Sequence, residues 1–229
     1  MENKTSKYFK YAIGEIILVV IGILIALQIN NWNNQRIESK LETSILKEIL
    51  VNLKKDVVNL NSKISFNLNK EKANKEVIDH LMQKTSITDS LKLFYGTLNG
   101  RGNFEPITVA YENLKTRGVD IIKNDSLRIA ISELYDFKYY YVTEDLRTDY
   151  EIIRELHESQ VYLNIKTTYK DGQLFGEPHN IQDLQNNVYF HEALTQAILF
   201  YKYMNRMYQI GINENMELQQ QIKKELNLK

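Results

Sequence analysis

Residues 11–32 read YAIGEIILVVIGILIALQINNW, and the expected architecture of the protein follows from this apolar run. Every position from Ile16 to Leu27 is apolar or glycine, without the polar stripe of a helix in a soluble core. A helix needs roughly 20 mainly apolar residues to cross the hydrocarbon core of a bilayer. The residues from Gln28 to Trp32 lack the small-residue pattern of a signal-peptide cleavage site. We therefore interpret 11–32 as an uncleaved transmembrane helix in a lipid bilayer, in preference to a core helix or a cleaved signal peptide.

The charges around this stretch indicate its orientation. Three lysines precede it at shorter distances than the three basic residues that follow it. The cytoplasmic flank of a span carries the excess of Lys and Arg, whereas long following domains cross largely regardless of charge. Trp32 stands at the far end, where aromatic rings prefer the interface between lipid and water. We predict a cytoplasmic tail over 1–10, an interfacial anchor at Trp32, and an extracytoplasmic domain over 33–229.

Four residues of the apolar stretch are candidates for contacts within the membrane. Gly14, Gly22 and Ala26 lie on one ridge at multiples of four residues, and such small residues let two helices approach closely. Glu15 is an ionisable residue about one turn inside the predicted span, which by itself suggests a function. The alternative is that Glu15 reaches water, a headgroup or a lysine of the tail. The ridge suggests self-association or a partner span.

The run YAIGEIILVVIGILIALQINNWN resembles the N-terminal signature of a family of uncharacterised single-span membrane proteins of the Bacteroidota. A second block, residues 110–118 (AYENLKTRG) followed by 121–128 (IIKNDSLR), is similar to the mid-chain pattern of that family. The resemblance implies a single-pass protein of the bacterial inner (plasma) membrane with a helical periplasmic domain. It implies no activity.

Composition excludes several classes of function. The 229 residues include 29 basic and 29 acidic side chains, and this neutral balance argues against a nucleic-acid partner. There is no cysteine, which excludes disulfides, thiolate nucleophiles and cysteine-based metal sites. Only 2 Pro and 9 Gly occur, so long uninterrupted elements are expected in place of a many-turned β fold.

We predict an all-α protein, with one N-terminal transmembrane helix followed by an extracytoplasmic helical bundle whose first helix is long. Capping residues and apolar periodicity give helices over 36–84, 88–98, 106–117, 125–165 and 183–226. Residues 167–180 are predicted to form a second loop, and a small hairpin around the turn Asp171-Gly172 is the alternative.

The first bundle helix carries a seam of apolar residues spaced alternately by four and three positions: Leu46, Leu50, Leu53, Val57, Leu60 and Ile64. Such a seam is typical of a coiled coil or of the core face of an antiparallel bundle helix, and we favour the second. Lys54, Lys55 and Asp56 are expected on the opposite, solvated side. Residues 33–36 form a polar hinge in this interpretation, or else the helix continues directly from the span as a stalk.

Local signals mark the ends of the shorter helices. Thr88 is a candidate N-cap, and residues 99–103 (NGRGN) form the clearest loop. Pro106 suits the first turn of the next helix, and Gly118 suits its C-terminal cap. One residue of 124–126 caps the helix after that.

No motif predicts catalysis, a cofactor or a metal. The four histidines (His80, His157, His179, His191) belong to no metal-ligand pattern, and we expect each to be satisfied in the core or solvated. Four tyrosines in one region (Tyr139, Tyr140, Tyr141, Tyr150) are expected to pack in the core, with at least one exposed; a ligand-binding aromatic cluster is the alternative.

Three functions remain open. The first is a membrane-anchored interaction, scaffold or accessory protein of the cell envelope, whose partner is a second copy or another membrane protein. The second is a ligand-binding extracytoplasmic sensor that acts through a separate membrane partner, since about ten residues precede the span and cannot form an output domain. The third is a tethered enzyme, for which no motif argues. We favour the first.

Overall fold

An uninterrupted helix of 81 residues, α1 (Asn3–Gln83), forms the axis of the computed structural model. The structure describes residues 3–228, with side chains from residue 13 onward. Residues 1 and 2 of the predicted tail, and the side chains of its lysines and of Tyr8 and Tyr11, lie outside this description. The predicted pairing of Glu15 with a tail lysine therefore lies outside it as well.

The remaining elements fold back along the second half of α1. The further helices are α2 (Asp89–Gly96), α3 (Val109–Arg117), α4 (Asp125–Glu133), α5 (Leu146–Asn164), α6 (Ile181–Gln185) and α7 (Val188–Glu225). The strands are β1 (Ile165–Lys170) and β2 (Gln173–Pro178), and a 3₁₀ turn covers Val119–Ile121. Two π-helical segments, Leu134–Lys138 and Tyr141–Asp145, lie between α4 and α5. The protein is thus mainly helical, as predicted.

The polar hinge expected over 33–36 is absent, because these residues lie inside α1. No Pro or Gly stands there to interrupt the hydrogen-bond ladder, and Asn and Arg are tolerated within a helix. The helix instead continues directly from the apolar stretch into the bundle, which was the alternative prediction. A rigid helix therefore joins the two parts of the chain.

The core lies mainly between α1 and α7, which run antiparallel. Asn215 of α7 donates to the Leu53 carbonyl of α1, while Lys202, earlier in α7, lies 3.7 Å from Glu71, later in α1. Seam residues Leu46, Leu53 and Leu60 are buried. They share one apolar cluster with α7 residues that include Met204, Ile212, Leu218 and Ile222. The seam therefore serves as the core face of a bundle helix.

The expectation that Asp56 is solvated is wrong. Its side chain is fully buried, whereas Lys54 and Lys55 are exposed. Asp56 follows Leu53 by three residues and precedes Leu60 by four, so helical geometry puts it on the buried face.

The predicted caps are mostly confirmed. The Thr88 hydroxyl accepts from Leu91 N at 3.2 Å, and Asn124 accepts from Leu127 N at 3.2 Å. Gly118 ends α3 at φ +106°, a conformation that favours glycine. Pro106 is not in a first helical turn, because α3 begins three residues later at Val109.

Two long helices predicted from sequence differ in detail from the structure. The predicted helix 125–165 contains the two π-helical segments but stays helical from residue 125 to residue 164, and its last residue belongs to a strand. The predicted helix 183–226 splits into α6 and α7 because Asn187 caps a new start, with its side chain accepting from Phe190 N at 3.1 Å. Gly211, a predicted interruption, lies within α7.

The hairpin β1-β2 corrects the all-α prediction. Its turn residues, Asp171 and Gly172, have φ +52° and +80°, the pattern of a two-residue type I′ turn. The hairpin packs on α2 with Gly176 directly against backbone, since a Cβ there would be 2.5 Å from the Tyr95 carbonyl carbon. The glycine permits this close approach.

Candidate functional site

The apolar part of α1 is exposed along its whole length. The most apolar 18 consecutive residues of this helix have a mean hydropathy of 2.3, and none of them is buried. Leu18 is 72% exposed and Leu24 is 59% exposed, whereas the bundle core begins at Ile45. Length and composition suffice for crossing a membrane. The core helix of a soluble protein is mostly buried, and this segment is not. A signal sequence, like this segment, lies near the N-terminus.

The five predicted site residues all lie on this exposed segment. A Cβ added at Gly14 or Gly22 would meet no atom within 4 Å, and Ala26 and Glu15 are exposed. Trp32 is 62% exposed, with the Arg36 guanidinium 5.5 Å from its ring centroid. The structure therefore brings none of the five against another described part of the chain. Their surface is available to lipid or to another helix.

Within the bundle, a buried polar network surrounds Asp56. One carboxylate oxygen of Asp56 accepts from Ile107 N at 3.0 Å, and the other accepts from the Tyr139 hydroxyl at 3.2 Å. Asn215 donates to that hydroxyl at 2.5 Å and to the Leu53 carbonyl at 3.0 Å. The network joins α1, the segment before α3, the region between α4 and α5, and α7.

Burial controls the protonation of this network. Removal from water raises the pKa of the Asp56 carboxyl to about 6, and the hydrogen bonds from Ile107 and Tyr139 oppose that rise. The same burial, together with the nearby Asp56 charge, raises the pKa of Tyr139 far above its usual range. Both oxygens of the carboxylate are hydrogen-bonded inside the core, so it is not presented to a substrate.

Aromatic rings pack around the network. Tyr111 and Tyr135 stack with centroids 4.6 Å apart, and Tyr139 meets Tyr135 edge-on at 5.5 Å. Tyr139 and Tyr150 are buried, whereas Tyr140 and Tyr141 are exposed. The predicted division of these tyrosines between core and surface is confirmed.

The segment between α2 and α3, residues 97–108, is held against the bundle by buried side chains, and we call it the strap. The hydroxyls of Tyr201 and Tyr208 donate to the carbonyls of Gly100 and Gly102, each at 2.8 Å. Gly102 N donates to the Asn67 side chain at 2.6 Å, and a Cβ on Gly102 would lie 2.6 Å from the Lys63 carbonyl oxygen. The loop predicted over 99–103 is thus a structural part of the core.

A second buried polar cluster lies farther along α1. His157 Nε2 is 2.8 Å from Asn74 Oδ1, and Asn74 donates to the Leu98 carbonyl at 3.2 Å. Burial and the nearby Lys70 charge lower the pKa of His157 to about 4, so the ring is neutral at neutral pH. His80 contacts the Tyr95 hydroxyl at 2.9 Å. Both histidines are hydrogen-bonded core residues, as expected.

The bundle also has an open groove between α5 and α7, with a volume of about 370 Å³. Its apolar lining includes Ile152, which is 72% exposed, and Leu199, which is 54% exposed. Tyr203 lines it too and lies 3.4 Å, hydroxyl to hydroxyl, from Tyr141 of the second π-helical segment. The groove offers apolar contact area without a convergent set of polar groups.

These arrangements can position helices and present surfaces. Among the residues that the structure describes, no group of three or more His, Asp or Glu side chains is placed to hold a metal ion. The buried side chains of Asp56, Asn215 and Asn74 are hydrogen-bonded to backbone atoms of the strap or of a neighbouring helix and to other side chains of the bundle. Their chemistry therefore fixes the packing of the bundle.

Sequence reasoning missed the buried polar residues of α1, although a signal for them exists. Positions 46, 53, 60, 67, 74 and 81 repeat every seven residues, and all six are buried. Two of them, Asn67 and Asn74, interrupt the apolar pattern and hide its continuation. Strict seven-residue spacing would have identified both as core positions.

Comparison with known proteins gives a family for the chain. No curated protein and no solved structure has a significant match to it. A family of unknown function, DUF6090, matches residues 15–170, about two thirds of the sequence, from within the apolar part of α1 to the end of β1. The match includes the buried Asp56 and the whole of the mid-chain block at 110–128. The chain belongs to the family of unknown function DUF6090.

Proposed function

We propose that this protein is a single-pass membrane protein whose first helix anchors a helical interaction domain to the bacterial inner membrane. One observation carries the proposal: an apolar segment long enough to span a bilayer is fully exposed and continues without a break into the core helix of the bundle. In water, that segment would leave a large apolar surface unprotected. In a bilayer, the same surface is solvated by lipid.

The charges at the N-terminus support an orientation with the tail in the cytoplasm and the bundle in the periplasm. Trp32 then lies at the outer interface of the membrane. Six residues of α1, a rise of about 9 Å, separate it from Glu38. Glu38 pairs with Lys123 of the bundle at 3.1 Å, so the domain begins close to the headgroups.

An interaction role fits the domain better than catalysis. Its buried polar groups contact backbone and neighbouring side chains of the bundle, and the groove between α5 and α7 is open. Gly14, Gly22 and Ala26 offer a surface on which a partner span packs, and Glu15 offers it a hydrogen-bonding group. The partner is another membrane protein or a second copy of the chain. In this role the protein is an accessory or scaffold subunit of the cell envelope.

A sensor function is the alternative, and one observation favours it. The groove between α5 and α7 lies beside the second π-helical segment, through Tyr203 and Tyr141, and such segments are rare and often occur at functional sites. An apolar ligand in the groove would contact both helices. Its signal would then reach a separate membrane partner through α1.

Extraction of membranes with alkaline carbonate tests the proposed anchor. The full-length protein should remain in the membrane fraction. The double substitution Val20→Arg/Leu24→Arg places two charges at the centre of the span, each unfavourable by about 3 kcal/mol, and should release the protein. Ile129→Arg/Ile152→Arg is the matched control, because both residues are exposed aliphatics of the bundle. Release of the wild-type protein, or its cleavage after the apolar stretch, would contradict the proposal.

A further inference from the structure

The face of α1 that points away from the bundle carries a second repeating pattern. Residues 37, 40, 44, 47, 51, 54 and 58 are spaced alternately by three and four positions and read I, K, S, K, V, K, V. All seven are exposed, and Ile37, Val51 and Val58 are 55%, 49% and 71% exposed. We call these seven residues the outer seam. Alternating spacings of three and four are the pattern with which one helix packs along another.

The outer seam is basic and carries its own groove. Val51 and Lys47 line a depression of about 330 Å³ together with Val109 of α3, which is 74% exposed. Arg36 and Lys55 add two further exposed cations beside the seam. Among the described residues, none of the five cations at 36, 40, 47, 54 and 55 forms an ion pair.

Three of the four acidic residues of this part of α1 are directed elsewhere. Glu38 pairs with Lys123, and Glu42 accepts from Lys123 N at 2.8 Å. Asp56 is buried in the core. Glu48 lines the groove and offsets the charge of Lys47 there, so the excess of positive charge lies on the seam at Lys40 and Lys54, on either side of the groove. The outer seam therefore combines aliphatic contact area with uncompensated cations.

We propose that the outer seam docks an acidic helix of a partner membrane protein that stands parallel to α1. This inference deepens the proposed function and rests on it for the membrane address of the partner. A helix with carboxylates opposite Lys40, Lys47 and Lys54 and aliphatic residues opposite Val51 and Val58 is complementary in both charge and spacing.

Distance argues against lipid as the occupant of the whole seam. Lys47 and Lys54 follow Trp32 by 15 and 22 residues, which places them about 22 Å and 33 Å along the helix axis from that residue. Charges are screened over about 8 Å at physiological ionic strength. Headgroups at the level of Trp32 therefore reach Arg36, about 6 Å away along the axis, and leave Lys47 and Lys54 uncovered.

Charge argues against a second copy as the occupant. Two copies anchored in the same membrane are parallel, so their seams would meet in register. Lys40, Lys47 and Lys54 would then face the same lysines of the other chain, and like charges at such positions repel. An acidic partner turns the same three positions into attractive ones.

The small residues of the apolar stretch lie on the same side of the helix. Ala26 precedes Lys40 by two heptads, over which a straight helix drifts by only about 40°. A partner that packs on Ala26 within the membrane would therefore continue onto the outer seam above it.

The test uses full-length protein in detergent micelles and a synthetic probe. The probe is a fluorescent helical peptide of about four heptads, with Glu at the positions facing the lysines of the seam and Leu at the positions facing its aliphatic residues. A matched peptide carries Lys in place of Glu. The acidic peptide should bind, and its Kd should rise at least about tenfold between low and moderately high salt, while the Lys peptide should not bind.

Charge reversal on the seam supplies the decisive comparison. Lys47→Glu/Lys54→Glu should weaken binding of the acidic peptide at least about tenfold, since two attractive contacts become repulsive. Lys166→Glu/Lys170→Glu makes the same change in net charge on the exposed hairpin and should leave binding within about twofold. Equal effects of the two double substitutions, or binding of both peptides alike, would overturn the proposal.

Single cysteines identify a second copy if one covers the seam. The chain has no native cysteine, so Val51→Cys introduces the only thiol. Rapid oxidation of the Val51→Cys protein to a disulfide-linked dimer would overturn the acidic-partner proposal in favour of self-association. Carbonate extraction tests the anchor separately. Release of the protein from membranes, while binding of the acidic peptide still depends on the seam lysines, would contradict the proposed function alone. Stable anchoring without such binding contradicts this inference alone.

Discussion

Replacement of Asp56 by Asn should stabilise the bundle at neutral pH, although it removes a buried carboxylate with two hydrogen bonds. Burial raises the pKa of Asp56 from 3.8 to about 6 in the folded state. Each pKa unit corresponds to 1.36 kcal/mol, so ionisation of Asp56 is unfavourable to folding by about 3 kcal/mol. Asn has almost the same shape and stays neutral. Asp56→Asn should therefore raise the free energy of unfolding by about 2–3 kcal/mol at pH 7.5.

The sign of the pH dependence follows from the direction of the shift. Between pH 4 and 6 the folded state binds more protons at Asp56 than the unfolded state does, so this residue makes stability fall as pH rises through that window. Below pH 4 the carboxyl is protonated in both states, and the Asn variant should match the wild type within about 1 kcal/mol. The difference between variant and wild type should therefore grow by about 3 kcal/mol from pH 4 to pH 7.5.

Thermal unfolding followed by circular dichroism, on full-length protein in detergent, measures this difference. A change of 2–3 kcal/mol corresponds to an increase in Tm of roughly 4–12 °C for a domain of this size. Asp56→Ala is the control, since it leaves Ile107 N without its acceptor and opens a void. It should destabilise the protein by about 1–3 kcal/mol at pH 4, and its stability relative to the wild type should be about 3 kcal/mol more favourable at pH 7.5, because it removes the same buried charge. Destabilisation by Asp56→Asn at pH 7.5, or a pH-independent effect of it, would refute the reasoning.

Three further substitutions test the packing of the bundle by the same unfolding assay. Gly102→Ala should destabilise by about 1–3 kcal/mol, because the new Cβ would lie 2.6 Å from the Lys63 carbonyl oxygen. Gly211→Ala should stabilise by about 0.5–1 kcal/mol, since it is a helical position where a Cβ makes only an ordinary contact of 3.6 Å; the opposite order of the two alanine variants would contradict the packing described. Burial lowers the pKa of His157 to about 4, so protonation of this residue in the unfolded chain destabilises the fold as pH falls from 6.5 to 4. His157→Gln should remove about 3 kcal/mol of this acid destabilisation, and the Gln amide can still donate to Asn74. An unchanged acid profile in His157→Gln would show that another group carries that destabilisation.

The features predicted correctly from sequence depend on local signals. The apolar run of α1, the caps at Thr88 and Asn124, and the closing residue Gly118 are each determined within a few residues of chain. The heptad seam identified the core face of α1 for the same reason. These signals place the helices without any knowledge of the partners that they pack against.

The burial of Asp56 depends on residues far away in the chain. Its partner Tyr139 is 83 residues away, and Asn215 reaches the neighbouring Leu53 carbonyl across 162 residues. An Asp beside two lysines is typical of a solvated surface. Only its position three residues after Leu53 and four residues before Leu60 indicates that it is buried. The network is therefore a tertiary property that local pattern cannot supply.

The hairpin and the π-helical segments show two other limits of local reasoning. The turn Asp171-Gly172 allowed a hairpin only as the alternative to a loop, because residues 161–165 before it fit either a short strand or the end of a helix. Close packing of Gly176 on the backbone of α2 stabilises the hairpin, and this contact is not local. The two π-helical segments, which precede Tyr139 and follow Tyr140, add residues to the turns of the helix, and no residue pattern marked them in advance.

The candidate interaction surface was predicted only in part. Sequence identified Glu15 and the small-residue ridge because an apolar background makes exceptions visible. The outer seam went unrecognised, since its lysines alternate with aliphatic residues and resemble an ordinary solvated helix face. Exposure of Val51 and Val58 in the folded chain, together with their seven-residue spacing, identifies that face as a candidate docking surface.

Labelling of single cysteines along α1 shows whether this helix crosses the membrane and continues into the bundle. Variants at successive positions from 6 to 44, in the cysteine-free background, are treated in sealed membrane vesicles with a maleimide that does not cross membranes. We predict protection over about 13–30, labelling of residue 6 from the cytoplasmic side, and labelling of Lys40→Cys and Ser44→Cys from the opposite side. Labelling of both ends from the same side, or reactivity throughout the apolar stretch, would contradict a membrane-spanning helix that continues into the bundle.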